Sequence, residues 1–279
     1  MDYLELNIQL KPRDPWADIL IAELAELGFE SFIETEEGIK AYAPETIGNV
    51  PSLLEETSMN NNPELESTYE TTLIPHQNWN AQWEADFEPV VVDVRCVILA
   101  PFHDQYAFSN PLKIIIQPQM SFGTGHHQTT FLMSQYLLDE PQMPESILDM
   151  GTGTGVLAIL AEKLGAKHIL AVDIEPWSVE NTAENAERNH CKHIKALEGD
   201  VDVTFGSKFG LILANINKNV LKAHLPHYAE LSETGTLLFL SGFFASDVDE
   251  LKLAAEKVGF SLLEVREKET WAAMKLIKN

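Results

Sequence analysis

The chain has 279 residues, enough for one large domain or two smaller ones, and 45% of them are hydrophobic, enough to bury a sizeable core. Its formal charge is -24, from 19 Lys+Arg against 43 Asp+Glu. Such a surface repels phosphate backbones, which excludes direct nucleic-acid binding from the first expectations and favours a basic protein partner.

The two cysteines, Cys96 and Cys191, form no framework or metal spacing, the first residues alternate and carry acids, and no apolar run approaches the about 20 residues of a membrane span. A cytoplasmic protein is expected, with no membrane partner, and as a monomer. Residues 3–10 alternate Leu4, Leu6, Ile8 and Leu10 against polar neighbours, which predicts a half-buried strand. Asp14 stands where it would cap a helix with Pro15 at its first position. Trp16, Ile19, Leu20, Leu24 and Leu27 give that helix an apolar face, and Gly28 closes it. Residues 31–36 and 38–43 read as two strands around a turn, 52–57 as a weak helix, and 69–74 as a last strand. Strand, helix, two strands, helix, strand is a small α+β sandwich of ferredoxin type, expected over residues 1–74. Over 75–89, Trp79, Trp83 and Phe87 recur every four residues, the spacing of one helical face, and predict a linker helix packed on a second domain of residues 90–279.

In that second domain, residues 90–99 and 112–116 read as strands. The stretch Gln117-Pro-Gln-Met-Ser-Phe-Gly-Thr-Gly-His-His-Gln-Thr-Thr130 follows, an irregular glycine loop with Thr129 and Thr130 at the start of a helix. Such a loop can fold over a bound ligand as well as cap the helix. His126 and His127 are adjacent with no third ligand nearby, so no metal site is expected there.

Ser146-Ile-Leu-Asp-Met-Gly-Thr-Gly-Thr-Gly155 is strand, tight turn and helix start, with glycines at 151, 153 and 155. Glycine allows the unusual backbone angles of the turn, and the amides at the helix start can face an electron-rich group. The next strand, residues 168–173, ends at Asp173, 22 residues after Gly151, where an acid is placed for a ribose hydroxyl pair. A dinucleotide fingerprint needs its third glycine one residue later, where Val156 stands. Gly-x-Gly-x-Gly is instead the spacing of S-adenosylmethionine sites. A helix over 176–188, strands at 194–197 and 209–214, a helix over 221–231 and a strand at 235–240 continue the alternation. The Ser241-Gly-Phe-Phe stretch is expected as a loop, Ser246 and Asp249 as a capping box, and 261–268 with 271–277 as a closing antiparallel pair. The fold class is therefore α/β, a doubly wound Rossmann-like sheet with one reversed strand, preceded by the small α+β domain. Gly151, Asp173, Asp200 and Asn215 all fall at strand carboxyl ends, where such sheets bind ligands.

A methyl on a sulfonium is already activated, so a protein that transfers it mainly aligns the acceptor. An amine acceptor must be neutral, and lysine at its reference pKa of about 10.4 is almost wholly charged at pH 7. Asn215, through its side-chain oxygen, and the Ile216 carbonyl are placed to aim the nitrogen's lone pair. Asp200 either contacts the adenine amine or caps a loop. No dedicated base stands out. A small-molecule methyltransferase, or a nucleotide-fold adaptor without catalysis, would share this core. Intact Gly151, Gly153, Gly155, Asp173 and Asn215 argue against the second.

The chain resembles the bacterial ribosomal protein L11 methyltransferase family along essentially its whole length. The resemblance is carried by Asn78-Trp79, Trp83, Phe87 and Pro89, by the Ser121-Phe-Gly-Thr-Gly-His-His-Gln-Thr-Thr130 loop, by residues 148–159 around the glycine turn, by Asp173, by residues 181–189, and by Ala214-Asn-Ile216 and Leu240-Ser-Gly242. It implies methyl transfer from S-adenosylmethionine to lysine side chains and the N-terminal amine of one large-subunit ribosomal protein, L11. It also implies an N-terminal domain that holds that protein, and cofactor contacts at Thr130, Gly151, Asp173 and Asn215. An independent point agrees. Enzymes that methylate planar amides or bases follow the asparagine with Pro-Pro-aromatic, and here Ile216-Asn217-Lys218 follows, with no ring to stack on a plane.

Overall fold

The computed structural model describes residues 2–75, 84, 87–104, 107–119, 122–123, 125–204 and 206–279. The chain divides into two compact units, Met1–Asp86 and Phe87–Asn279. Trp79 and Trp83 of the expected linker helix lie outside the described residues. Phe87 is described, and its ring meets His126 edge-on at 4.5 Å between centroids.

In the first unit β1 (Tyr3–Lys11), α1 (Trp16–Glu26), β2 (Ser31–Glu34) and β3 (Gly38–Pro44) are followed by two short helices, α2 (Val50–Leu54) and α3 (Ser58–Asn61), and by β4 (Glu66–Ile74). The sheet order is β2-β3-β1-β4, with every neighbouring pair antiparallel, the arrangement of a ferredoxin-type sandwich. The period-2 alternation of β1 puts Leu6 and Ile8 on the helix side, where Leu20, Leu24 and Ile39 also have no exposed surface. Two expectations fail here. Asp14 does not cap α1; its carboxylate accepts from Arg13 Nη1 at 2.7 Å, and α1 opens without a side-chain cap. The single weak helix is two, because Asn49 and Thr57 each present a side-chain oxygen to a backbone N–H and start separate turns.

The second unit opens with a three-stranded sheet of β5 (Val90–Val92), β6 (Cys96–Leu99) and β7 (Leu112–Ile115). Residues 90–99 are thus a hairpin, with Val91 opposite Val97, rather than one strand. The turn is held by Asp93, which accepts from the backbone and guanidinium of Arg95. Next come α4 (Gln128–Asp139), β8 (Ser146–Met150), α5 (Val156–Lys163), β9 (His168–Asp173), α6 (Pro176–Arg188), β10 (Ile194–Glu198), β11 (Leu211–Asn215), α7 (Lys218–Glu230), β12 (Leu237–Phe244), α8 (Val248–Lys257), β13 (Phe260–Lys268) and β14 (Trp271–Lys278). The sheet order is β10-β9-β8-β11-β12-β14-β13. The first five strands are parallel, and β14 runs against both its neighbours.

Both faces are buried, as continuous apolar strands require. Ile147, Ile169, Leu211 and Phe239 pack with Leu132, Met133 and Tyr136 of α4 and with Val156, Leu157 and Leu160 of α5. Their neighbours Leu148, Val172, Ile212 and Leu238 pack on the other side with Leu221, Leu225 and Tyr228 of α7 and Leu251 of α8. The α6 helix differs: its buried face is Ser178, Asn181, Thr182, Asn185 and Ala186, mostly polar. The Ser241-Gly-Phe-Phe stretch is not a loop but the end of β12, bulged between Ser241 and Phe243. The capping box is also displaced. Asp247, not Asp249, accepts from the Phe244 N–H at 3.2 Å. Among the described residues no helix is long and apolar enough to cross a membrane.

Candidate active site

The site follows from register. Met150 pairs with Val172 on one side and Ala214 on the other, so Gly151, Asp173 and Asn215 emerge together, one residue further along three adjacent strands. Glu198 pairs with Asp173, and Asn215 with Ser241, extending the row to both sides. Beyond these ends lies a cavity of about 700 Å³, lined by Gly151, Gly153, Asp173, Asp200, Asn215 and Ile216 and by Phe122, His127, Trp177 and Trp271. That size suits a nucleoside-sized ligand.

The glycines serve close approach. Gly151 and Gly153 have φ of 75° and 58°. A Cβ on Gly151 would stand 2.2 Å from Ile216 Cγ2, and one on Gly153 would stand 2.2 Å from the Phe122 carbonyl oxygen. The turn is therefore gripped between the end of β11 and the glycine loop. Gly155 does not line the cavity; it lets α6 come close, a Cβ there falling 2.9 Å from Thr182 Cγ2.

Asp173 braces the turn from inside. Its Oδ2 accepts from the Gly153 N–H at 2.9 Å and its Oδ1 from the Glu175 N–H at 3.1 Å. Carboxylate oxygens accept more than one bond, so the half-buried group can still take a hydroxyl donor from the cavity. Asp149, fully buried, accepts from Thr152 Oγ1 at 2.8 Å. Burial pushes its pKa up to about 7, against the pull of the Thr152 and Ala158 donors and with a smaller push from Asp173.

The glycine loop is fastened down by neutral groups. The Thr154 N–H donates to the Phe122 carbonyl at 2.9 Å and Thr154 Oγ1 to the Gly123 carbonyl at 2.6 Å. Asn185 donates to the Thr154 carbonyl and accepts from the Gln117 N–H, and Asn189 makes the same pair of bonds with Ile115. Thr182 donates to the Gly153 carbonyl at 3.0 Å. These bonds account for Thr182 and Asn185 on the polar face of α6; the buried Asn181 amide has no partner among the described residues.

Asn215 Nδ2 donates to Thr130 Oγ1 at 3.4 Å, while its Oδ1 is buried with no hydrogen-bond partner among the described residues. A buried acceptor left unpaired is costly, and a donor that reached it as the side chain turned toward the cavity would satisfy it. Thr130 itself is fully buried and stands behind Asn215, off the cavity; its neighbour Thr129 is on the lining. Ile216 covers Gly151 with its side chain, and its backbone lies so near Gly242 that a Cβ there would stand 2.3 Å from the Ile216 carbonyl oxygen.

One rim of the cavity is aromatic. Phe122 meets His127 at 5.1 Å between centroids, His127 meets Trp271 at 4.5 Å, and Trp271 meets Phe244 at 4.4 Å. His127 also caps α4, its Nδ1 accepting from the Thr129 N–H, and burial lowers its pKa. His126 Nε2 lies 2.7 Å from the Glu88 carbonyl. Among the described residues no three His, Cys, Asp or Glu side chains are grouped as metal ligands.

Trp177, Trp271 and His224 were not singled out from sequence. The nearness of Trp177 to Asp173 in the chain is a local signal for it. His224 carries a usable signal, a polar residue within the apolar stripe Leu221, Leu225, Tyr228. Trp271 reaches the site only through the pairing of β14 with β12, which no local pattern shows.

The sequence profile described as ribosomal protein L11 methyltransferase (PrmA) matches residues 18–279. The ribosomal protein L11 methyltransferase of Porphyromonas gingivalis is 43% identical over 92% of this chain and 89% of its own length. That of Phocaeicola vulgatus is 40% identical over 99% of both chains. The crystal structure of the ribosomal protein L11 methylase of Lactobacillus delbrueckii subsp. bulgaricus superposes with a TM-score of 0.64 at 27% identity, covering 69% of this chain and all of that one. With matches this long and a strand-end cavity of the kind a methyltransferase requires, the chain belongs to the ribosomal protein L11 methyltransferase family.

Proposed function

We propose that the chain binds S-adenosylmethionine in the strand-end cavity and methylates amines of the large-subunit ribosomal protein L11, namely lysine side chains and the N-terminal amine. One observation carries the reading: the aligned row of Gly151, Asp173 and Asn215, in which a glycine cradle, a carboxylate with spare acceptor capacity and an asparagine whose buried amide oxygen has no partner among the described residues line one cavity. These residues fit the group. Gly151 and Gly153 leave room for its backbone approach, and Asp173 accepts from the ribose hydroxyls. Asp200, which also lines the cavity, accepts from the adenine amine. Thr130 holds Asn215 in orientation, and Gly155 sets α6 against the turn.

When bound, S-adenosylmethionine supplies a methyl activated by its sulfonium and open to in-line displacement. The chain's own contribution is to select and aim the incoming nitrogen. The unpaired Asn215 Oδ1 accepts an N–H of a neutral amine, and the Ile216 carbonyl offers a second acceptor, so the lone pair is left pointing at the methyl. The aromatic rim of Phe122, His127 and Trp271 keeps water from the amine and disfavours its charged form. No side chain here is required to hold the departing proton; an amine that enters neutral sheds it to solvent after transfer.

The basic partner is supported by where the charge lies. Residues 1–86 contain 18 Asp+Glu and 3 Lys+Arg, a balance of -15 out of -24 in under a third of the chain. The first unit then holds L11 and the second performs the transfer. The test is incubation of the purified chain with unmethylated L11 and isotopically labelled cofactor, read by intact-mass and peptide mass spectrometry. Label on lysine and N-terminal amines is expected; label on glutamine, on RNA or nowhere would overturn the proposal.

A further inference from the structure

The α7 helix packs Leu221, Leu225 and Tyr228 against the sheet, and His224 sits in the same stripe with 8% of its surface exposed. An imidazole so placed is destabilising unless both nitrogens are bonded. Both are: Nε2 lies 3.1 Å from Asp200 Oδ1, and Nδ1 lies 3.3 Å from the Tyr228 hydroxyl. The direction of these bonds follows from the partners. Burial pushes the Tyr228 phenol far above its ordinary pKa, so it keeps its proton. Among the described residues the imidazole is that hydroxyl's one hydrogen-bond partner. When the phenol donates to Nδ1 the hydrogen of the imidazole is on Nε2, and an imidazolium carries it there as well, so Nε2–H donates to the carboxylate.

Asp200 Oδ1 also accepts from the Val201 N–H at 2.7 Å. Two donors thus fall on one oxygen and pin the carboxylate, while Oδ2 has no partner among the described residues. The side chain is 54% exposed, and both it and His224 line the cavity. Its position names the part of the ligand it meets. Glu198 is level with Asp173, and the Gly199 N–H donates to the Asp173 carbonyl at 2.9 Å, so Asp200 lies next to Asp173 on the side away from Asn215. A nucleoside with its ribose at Asp173 and its reactive end at Asn215 directs its base here.

We propose that His224, backed by Tyr228, is a positioning residue that sets base selectivity: it holds Asp200 so that Oδ2 accepts a hydrogen from a 6-aminopurine and faces the carbonyl of a 6-oxopurine with a lone pair. The inference rests on the S-adenosylmethionine reading above and deepens it. A carboxylate that accepts from the base is worth about a tenfold to hundredfold preference for adenine.

The test is calorimetry on the full chain with S-adenosylhomocysteine and S-inosylhomocysteine, taken as a ratio of affinities. The natural chain is expected to favour the adenine compound about tenfold to a hundredfold. His224→Ala should shrink the ratio to a few-fold, and His224→Gln, which can return an N–H near the Nε2 position, should restore most of it. Asp200→Asn, on a half-exposed side chain, should narrow or invert the ratio, because its amide can donate to the inosine carbonyl. A ratio unchanged in His224→Ala, or both affinities falling equally, would reduce His224 to packing and overturn the proposal, as would an unchanged ratio in Asp200→Asn. If the natural chain binds neither compound, the cofactor reading falls and takes this proposal with it; an unchanged ratio with binding intact overturns the proposal alone.

Discussion

Asp173→Ala separates a ligand-binding role from a bracing one. The carboxylate makes two backbone bonds, to Gly153 and Glu175, and the proposal adds at least one bond from a ribose hydroxyl. A hydrogen bond to a charged group is worth about 1.5–3 kcal/mol, so losing the ribose contact alone should weaken S-adenosylmethionine about tenfold to 150-fold. The orphaned Glu175 N–H is half-buried and can turn to water at a cost of about 1 kcal/mol, whereas the Gly153 N–H belongs to a buried residue and costs about 1–3 kcal/mol if left unpaired, with a looser turn. A further loss of binding of up to about tenfold follows, because the turn must be reordered on binding. Titration calorimetry with S-adenosylmethionine reads the first effect, and thermal unfolding of the ligand-free chain reads the second. A Tm that falls with an affinity within threefold of the natural chain would show that Asp173 only braces the turn, and would remove it from the binding site.

Three further outcomes are expected. Gly153→Ala places a Cβ 2.2 Å from the Phe122 carbonyl at a φ of 58°, and should destabilise by at least about 2 kcal/mol in urea titration while abolishing cofactor binding; an unperturbed variant would contradict the close approach. Asn215→Ala removes the orphaned acceptor and should slow methylation of L11 at least about tenfold with little change in stability, whereas an unchanged rate would acquit that oxygen of aiming the amine. Asp149 has its folded pKa raised from 3.8 to about 7, so the stability it contributes is fully present below about pH 4 and is lost as pH rises through about 7. Relative to Asp149→Asn, the natural chain should therefore lose stability by about 1.4 kcal/mol per pH unit across that window, and parallel curves for the two proteins would show that the carboxyl is not held protonated.

Much of the second unit could be read because each parallel strand is a short apolar run closed by a turn signal, and α6 announces itself with Pro176 at its first position. Gly151, Asp173 and Asn215 were legible because each ends such a run. The errors have local causes. Gly242 looks like the start of a loop, yet Phe243 is 1% exposed and continues the core face of β12 after a bulge. The hairpin turn at Asp93-Val-Arg95 carries an apolar residue and no glycine, so its residues read as one strand with their flanks. Asp14 had the right type for a cap, but Arg13 competes for its carboxylate. The relation of Thr130 to Asn215, and the arrival of His224 and Trp271 at the same cavity, depend on elements far apart in sequence and leave no periodic trace.

The fastenings that Asn185, Asn189, Thr182 and Thr154 provide between β7, the loop that follows it, the glycine turn and α6 are all uncharged. Dissolved ions screen Coulombic attraction over about 10 Å at 0.1 M, but they have little hold on short amide and hydroxyl bonds. If the acidic first unit captures a cationic protein as proposed, raising ionic strength should slow that capture while leaving the strand-end cavity intact. An enzyme built this way can have its capture of one substrate tuned by the medium without its grip on the other being touched.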